Sequence, residues 1–268
     1  MEQEQSNTSK AKPQSQKCVG VVTLIDVLGA KQWNIDDAEK YLCNLNNIFS
    51  GAMKGTELDP NGLFTTSNCP WGRAPAVLTF GDTIAIAWEL QQDGLLNVIM
   101  GLGRHLKVFM WHCLQRGIPV RGAVSYGEYI LQDQKLLGPA VADAASWYDQ
   151  SDWIGIVATP QFSIKIKAEM ESLGYSMLKQ SNKGVTLEQM YCEYDVPCKG
   201  RMRRGFALAW PEQYKMDRGV YNFYRQLAQF PIPHGTEQKY KNTVDFFDWY
   251  FKTYPPQEQK PPDPPTSL

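Results

Sequence analysis

Two aspartates in this chain stand where they could hold divalent metal against phosphates. Asp82 lies in Ala76-Val77-Leu78-Thr79-Phe80-Gly81-Asp82-Thr83-Ile84-Ala85-Ile86-Ala87-Trp88, where two apolar runs meet at a Gly-Asp pair. That pattern reads as a tight β-hairpin with a carboxylate at its tip. Asp26 ends the other strongly apolar stretch, which carries Val19, Val21, Val22, Leu24 and Ile25. Carboxylates are hard oxygen donors suited to Mg²⁺ or Mn²⁺, and such ions polarise phosphoryl oxygens. Each acid alone also has a plainer account. Gly-Asp is ordinary turn chemistry, and an Asp after a strand often caps a helix. The order of the segments around them bears on the choice.

Those segments alternate. Val19–Asp26 reads as a strand, and Ile35 to about Phe49 as a helix with Ala38, Tyr41, Leu42, Leu45 and Ile48 at helical spacing. Residues 52–74, with several Gly, Asn, Thr and Pro, read as a long loop before the hairpin. Leu95 to Leu114 is helical, with Leu95, Val98, Ile99, Leu102, Leu106 and Phe109 on one face. Ile118–Gly127 is a strand, and Pro139 opens a helix that runs to about Tyr148. Trp153–Ala158, Met190–Val196 and Phe206–Trp210 read as strands, followed by helices around 212–228 and 237–252. The succession describes an α/β (α+β) sandwich of ferredoxin-like kind with a helical C-terminal extension. In such a unit the first strand and the central hairpin are sheet neighbours, so Asp26 and Asp82 should converge.

The chain has 268 residues and a net charge of −1, with 27 basic and 28 acidic residues. That balance argues against a dedicated nucleic-acid or membrane-surface protein. No apolar run approaches the ~20 residues of a membrane helix, and the polar stretch Met1 to Lys17 is unlike a secretory signal. A cytoplasmic protein is expected. The six cysteines form no Cys-x-x-Cys pair, and the three histidines make no ligand cluster with them. Residues 1–17 and 254–268, polar or proline-rich, are expected to be disordered tails around a domain over 18–211 and a helical extension over 212–253.

The motifs, taken together, resemble the class III nucleotidyl cyclase domain. Leu24-Ile25-Asp26-Val27-Leu28-Gly29, Thr79-Phe80-Gly81-Asp82, Val120-Arg121-Gly122-Ala123-Val124-Ser125-Tyr126-Gly127 and Leu137-Gly138-Pro139-Ala140-Val141 match in the family's order, over about residues 19–210. A nearer resemblance is to the bacterial pyrimidine cyclases of the Pycsar antiphage defence system. It rests on Arg121 to Glu128, on Gly138-Pro139-Ala140 entering an alanine-rich helix, and on Tyr194-Asp195-Val196-Pro197-Cys198-Lys199-Gly200 followed by Phe206-Ala207-Leu208-Ala209-Trp210-Pro211. The resemblance implies a homodimer that converts UTP or CTP to the 3′,5′-cyclic monophosphate and pyrophosphate with Mg²⁺ or Mn²⁺. The product would act on a separate effector protein.

The resemblance also implies residue roles. Asp26 and Asp82 match the metal-binding aspartates, with the Val27 carbonyl as a further ligand to two divalent ions. Such ions lower the pKa of the ribose 3′-hydroxyl and clamp the α-phosphate. The backbone N–H groups of Val27, Leu28, Gly29 and Ala30, entering a helix, would cradle the β- and γ-phosphates. Arg121 and Lys199 match phosphate-contacting residues and complete the candidate catalytic set, with Arg201, Arg203 and Arg204 close by as substitutes for Lys199. A guanidinium suits the spread charge of a departing pyrophosphate.

Four positions depart from the purine enzymes. Where those read the base, this chain has Leu78 and Lys135, which disfavours ATP and GTP because a site built for one base leaves polar groups unpaired with another. Where they place an Asn and an Arg one turn apart on a helix, it has Ala142 and Ser146. Asp143, the charged residue in that turn, would bind ribose or base or simply occupy a polar helix face. Trp147, Tyr148 and Trp153 could stack a pyrimidine, although packing is the commoner use of such rings.

The reading is a pyrimidine cyclase, with UTP placed ahead of CTP on no base contact. Two alternatives stay open. One is a purine cyclase with unusual base contacts, and the other is a catalytically silent nucleotide-binding module that regulates a partner. Two converging carboxylates repel each other without a metal, which speaks against the silent module. The missing Asn and Arg speak for it.

Overall fold

The structure is a computed structural model that describes residues 16–52, 57–58, 64–65, 75–90, 94–132, 134–172, 186–216 and 220–256. The tails beyond 16 and 256, and most of the expected 52–74 loop with Cys69, lie outside the described residues.

The apolar stretch that ends in Asp26 forms the centre of the sheet. Strand β1 (Gln16–Val27) pairs antiparallel with β5 (Thr83–Glu89) on one side and with β6 (Val120–Gln132) on the other. Paired on both edges and covered on both faces, it can be apolar along its length. β4 (Ala76–Phe80) completes the expected hairpin with β5. Helix α1 (Ile35–Ala52) follows β1 and helix α2 (Gly94–Gln115) follows β5. The order β4-β5-β1-β6 is the ferredoxin-like arrangement expected from the succession of segments. Beyond β6 the sheet continues through β8 (Gly155–Ala158), which runs parallel to β6, then β10 (Arg201–Leu208) and β9 (Tyr191–Cys198). A short β7 (Lys135–Leu137) folds back on the far end of β6, giving eight strands, and β2 (Glu57–Leu58) with β3 (Phe64–Thr65) forms a separate ribbon.

Side chains alternate across the sheet. On one face Val21 and Ile25 of β1 and Ile84, Ile86 and Trp88 of β5 join a core with Tyr41, Leu45 and Ile48 of α1 and the buried stripe of α2. The other face carries α3 (Pro139–Tyr148), with a smaller cluster of Cys18, Val22, Ala76, Ala87, Tyr129 and Ala140. The Ser125 hydroxyl donates to the Ala140 carbonyl and ties α3 down. Val22 pairs with Ser125, and four residues on Asp26 pairs with Arg121. By the period-two rule Asp26 and Arg121 therefore share the α3 face.

The expected strand 153–158 starts only at Gly155, because residues 152–154 are bonded instead to helix α7 (Glu237–Thr253). Lys239 Nζ meets Asp152 Oδ1 at 2.7 Å, Asn242 Nδ2 donates to the Asp152 carbonyl at 2.7 Å, and Ile154 N donates to Thr243 Oγ1 at 2.9 Å. Helix α4 (Pro160–Ser172), unpredicted, buries Phe162 and Ile166 one turn apart and opens on a proline. β10 begins at Arg201 rather than Phe206, since its main-chain ladder with β9 runs on through the charged residues to the Arg201–Cys198 pair, with Arg204 also meeting Glu193 and Asp195. β1 begins at Gln16, so Gln16 and Lys17 belong to the sheet and not to the expected tail.

The C-terminal extension comprises α5 (Glu212–Met216), α6 (Val220–Leu227) and α7. Phe246, Phe247 and Tyr250 of α7 are fully buried against Trp210, Phe223 and Trp153. Each ring contributes about 2 kcal/mol by burial. Among the described residues no helix is long and apolar enough to cross a membrane.

Candidate active site

Asp26 and Arg121 face each other across the β1–β6 ladder. Arg121 donates to Asp26 Oδ2 from Nε at 3.1 Å and from the terminal Nη2 at 3.0 Å. The same Nη2 reaches Asp149 Oδ1 at 2.8 Å, while Nη1 donates to the Asp149 carbonyl at 3.2 Å. Asp149 Oδ2 in turn accepts from Lys199 Nζ at 2.7 Å. Asp26, Arg121, Asp149 and Lys199 thus form one continuous chain of alternating charge.

Main-chain bonds place its members. Asp149 caps the C-terminal end of α3, and the segment after it is stitched to the β9–β10 turn. Asp152 N donates to the Pro197 carbonyl at 2.9 Å, and Lys199 N donates to the Gln150 carbonyl at 2.8 Å. Together with the grip of α7 on residues 152–154, these bonds bring Lys199 to Asp149. The extension thereby acquires a role that its sequence did not suggest.

Asp82 sits at the hairpin tip beside Gly81, whose φ of 59° is the left-handed value that glycine tolerates. Its carbonyl accepts from Val27 N at 3.3 Å, and Asp26 pairs with the next residue, Thr83. The two acids therefore stand at the ends of adjacent strands. Burial raises the Asp26 carboxyl above the ordinary range, Arg121 works in the opposite direction, and the charges of Asp82 and Asp149 push it up again. Asp149 is held below the ordinary value, chiefly by the Lys199 hydrogen bond.

Among the described residues no group of three or more His, Cys, Asp and Glu is placed to hold a metal by itself. An ion here would draw on the Asp26 and Asp82 carboxylates and the Val27 carbonyl, with the remaining positions filled by phosphate oxygens and water. Oxygen donors of this kind fit Mg²⁺ or Mn²⁺, which usually bind through one or two carboxylates plus substrate phosphates. Both Arg121 contacts fall on Oδ2 of Asp26, and among the described residues Oδ1 accepts no hydrogen bond. The donor set therefore fits the expected ions.

The expected phosphate cradle is narrower than four amides. Val27 N is bonded to the Asp82 carbonyl and Leu28 N to the Pro119 carbonyl at 2.9 Å, because sheet pairing runs to the end of β1. An anion at this turn would be left with Gly29 and Ala30, which open a 3-10 turn (Ala30–Gln32) and not α1 itself.

No protein-family model matches this chain, and no curated protein matches it. Solved structures similar to it include the monomeric guanylyl cyclase domain of the RhoGC fusion protein from the aquatic fungus Blastocladiella emersonii, at 14% identity over 57% of this chain and 88% of that one, with a TM-score of 0.42. The catalytic core of a rhodopsin-guanylyl cyclase with converted specificity, in complex with ATPalphaS, is 13% identical over 72% of this chain and 97% of that one, TM-score 0.44. An adenylate/guanylate cyclase/hydrolase from Silicibacter pomeroyi is 12% identical over 73% and 98%, TM-score 0.40. These likenesses are loose, and the functional reading rests on the chain's own residues.

The remaining expected site residues lie apart. Leu78 is half-buried on β4, four residues before Asp82. Lys135 is exposed on β7 opposite Gln132, eleven residues along β6 from Arg121. At about 3.3 Å per residue that is roughly 36 Å, so Lys135 and Asp26 of one chain cannot touch the same nucleotide. On α3 Ala142 is exposed, and the Ser146 hydroxyl donates to the Asp143 carbonyl at 2.7 Å. Asp143 has a buried Oδ2 without a hydrogen-bond partner among the described residues. Trp153 is core, stacked on Tyr194, and Arg203 lies over Trp147 at 4.5 Å. Arg204 pairs with Glu193 and Asp195, whereas Lys199 reaches the cluster through Asp149.

Sequence reasoning missed Asp149. Its one signal was an acid at a helix C-terminus, where the dipole disfavours negative charge and a cationic partner is required.

Proposed function

We propose that this protein is a pyrimidine nucleotide cyclase that converts UTP to 3′,5′-cyclic UMP and pyrophosphate, with CTP to cyclic CMP as the closest alternative. The observation that carries the reading is the Asp26–Arg121 pair on the α3 face, with the Asp82 hairpin tip bonded to the adjoining Val27 and Lys199 reached through Asp149. Asp26 and Asp82 would hold two divalent ions, which supply Lewis acidity toward the 3′-hydroxyl and the phosphates. The 3′-oxygen forms the new bond to the α-phosphorus, the bond from that phosphorus to pyrophosphate breaks, and the hydroxyl proton leaves to solvent. Arg121 and Lys199 balance the charge gathering on pyrophosphate.

The preference for a pyrimidine rests on the apolar Leu78 and on Lys135 at the positions where purine enzymes read their base, and on the resemblance to the antiphage pyrimidine cyclases. The same resemblance supports a product that acts on an effector protein. The separation of Lys135 from Asp26 supports a homodimer in which each site takes its acids from one subunit and its base contacts from the other. Purified protein incubated with Mn²⁺ and each of ATP, GTP, CTP and UTP, followed by mass spectrometry, tests the proposal. A cyclic pyrimidine product that is absent with Asp82→Ala is expected.

A second reading, a silent nucleotide-binding module, draws on α3, where Ala142 and the internally bonded Ser146 offer no charge to a transition state. Under it, Asp26→Ala and Asp82→Ala would leave the biological effect intact.

A further inference from the structure

Asp149 bridges the two cations through separate carboxylate oxygens, at 2.8 Å to Arg121 and 2.7 Å to Lys199. One anionic group shared between a guanidinium and an ammonium is the arrangement that a phosphate of the substrate would need at the same place. The two ends of the bridge differ in firmness. The Arg121 side chain is 12% exposed and braced by Asp26 on its other side, whereas the Asp149 and Lys199 side chains are 48% and 49% exposed. Exposed ion pairs are weak and exchange readily for a stronger anion. Asp149 also keeps its place by its carbonyl bond to Arg121 Nη1, so its carboxylate can swing away without the chain moving.

We infer that the Asp149 carboxylate is a built-in stand-in for a substrate phosphate, which the polyphosphate of the incoming nucleotide displaces from Lys199 and Arg121. It rests on the reading above that these cations receive polyphosphate. Before nucleotide binds, the bridge neutralises and orders both side chains. On binding, the displaced carboxylate remains nearby and repels the highly charged ligand, which weakens affinity and favours release of pyrophosphate.

The test is calorimetric binding of inorganic tripolyphosphate with Mg²⁺ at low salt. Asp149→Asn should bind about two- to fivefold more tightly than the parent chain. In a Lys199→Ala background the same change should give a smaller gain, because only Arg121 is then left to be freed, and Asp195→Asn, a neutralised acid on the nearby hairpin, should leave affinity unchanged. Thermal melts verify folding, and Asp149→Ser replaces the amide if that variant fails to fold. Unchanged or weaker binding by Asp149→Asn overturns the inference, as does an equal gain without Lys199 or no binding by any variant. If no nucleotide is cyclised yet Asp149→Asn tightens tripolyphosphate binding through Lys199, the cyclase reading falls and this one stands. If cyclisation occurs and affinity does not respond to Asp149, this one falls alone.

Discussion

The aromatic cluster around α7 and the charged chain around Arg121 each draw on residues 149–154, the first through Trp153 and the second through Asp149, and they are built on opposite principles. In the first, Phe246 sits fully buried among the rings of Trp153, Tyr194, Trp210, Trp249 and Tyr250. Close packing leaves one arrangement and no polar exchange partner. In the second, four charged groups hold each other by contacts that a ligand can take over, and two of the four are about half exposed. Stability is concentrated where nothing binds, and exchangeable contacts where something would.

The widest separation between the regions should come from Asp82→Ala. It is expected to lower cyclisation by at least about 10³-fold, roughly 4 kcal/mol of transition-state stabilisation, while its melting temperature stays within a few degrees of the parent. Residual activity within tenfold of the parent would remove Asp82 from the site.

Phe246→Ala should do the reverse. It should cost about 3–5 kcal/mol of stability in denaturant titrations, with turnover per folded molecule changed less than about threefold. A large loss of turnover in the folded fraction would mean that α7 does more than hold residues 152–154.

Pairing of subunits sharpens the comparison within the site. Asp82 and Lys199 belong to the same chain's cluster, so heterodimers of Asp82→Ala with Lys199→Ala subunits should stay inactive. Heterodimers of Asp82→Ala with Lys135→Ala should regain up to about half of parental activity, because one of the two sites is then intact. Recovery in the first pair and not the second would invert the assignment.

The smallest effect concerns Lys107, buried on α2 with its ammonium donating to the Gln189 carbonyl at 2.7 Å. Burial pushes it down to about 8, and Arg104 and Lys215 reinforce the shift while Glu212 opposes it. Between about 8 and the usual 10.5 the unfolded lysine keeps a proton that the folded one has released. Its contribution to stability therefore rises with pH across that window. Lys107→Met should remove that rise, by about 1–3 kcal/mol, when unfolding free energies of the two proteins are compared from pH 7.5 to 10.5. A buried thiol such as Cys113, raised above its usual value, acts oppositely in both proteins and cancels in the difference. Parallel curves would mean that Lys107 is not stored near neutrality.

Much of the sheet was legible because its central strands are buried on both sides. β1, β5 and the apolar stripe of α2 announce themselves by hydrophobic pattern alone, and Pro139 marks the start of α3 to the residue. The polar half of β10 was not legible, since it is held by the main-chain ladder with β9 while its exposed charged side chains leave no apolar run. The start of β8 was missed because a helix some 90 residues away claims residues 152–154, as in the Asn242 bond to Asp152. The same limit applies to the site. Asp26 and Asp82 are visible as acids at strand ends, but Asp149 acquires meaning only once the β9–β10 turn brings Lys199 beside it.

The bond from Val27 N to the Asp82 carbonyl has a consequence for how this protein can change over evolutionary time. The spacing of the two acids is set by a main-chain ladder, which most side chains can support, Gly81 with its left-handed φ and Gly20, whose Cβ would meet the Trp88 carbonyl, excepted. Neighbouring residues are therefore free to drift, provided they stay apolar on the covered face. Length is not free. One residue inserted between Val22 and Asp26, or in the Gly81-Asp82 turn, shifts the alternation by one and turns a carboxylate to the opposite face. Lineages that keep the activity should show many substitutions along β1 and the hairpin, and no insertions or deletions between the acids and the strands that carry them.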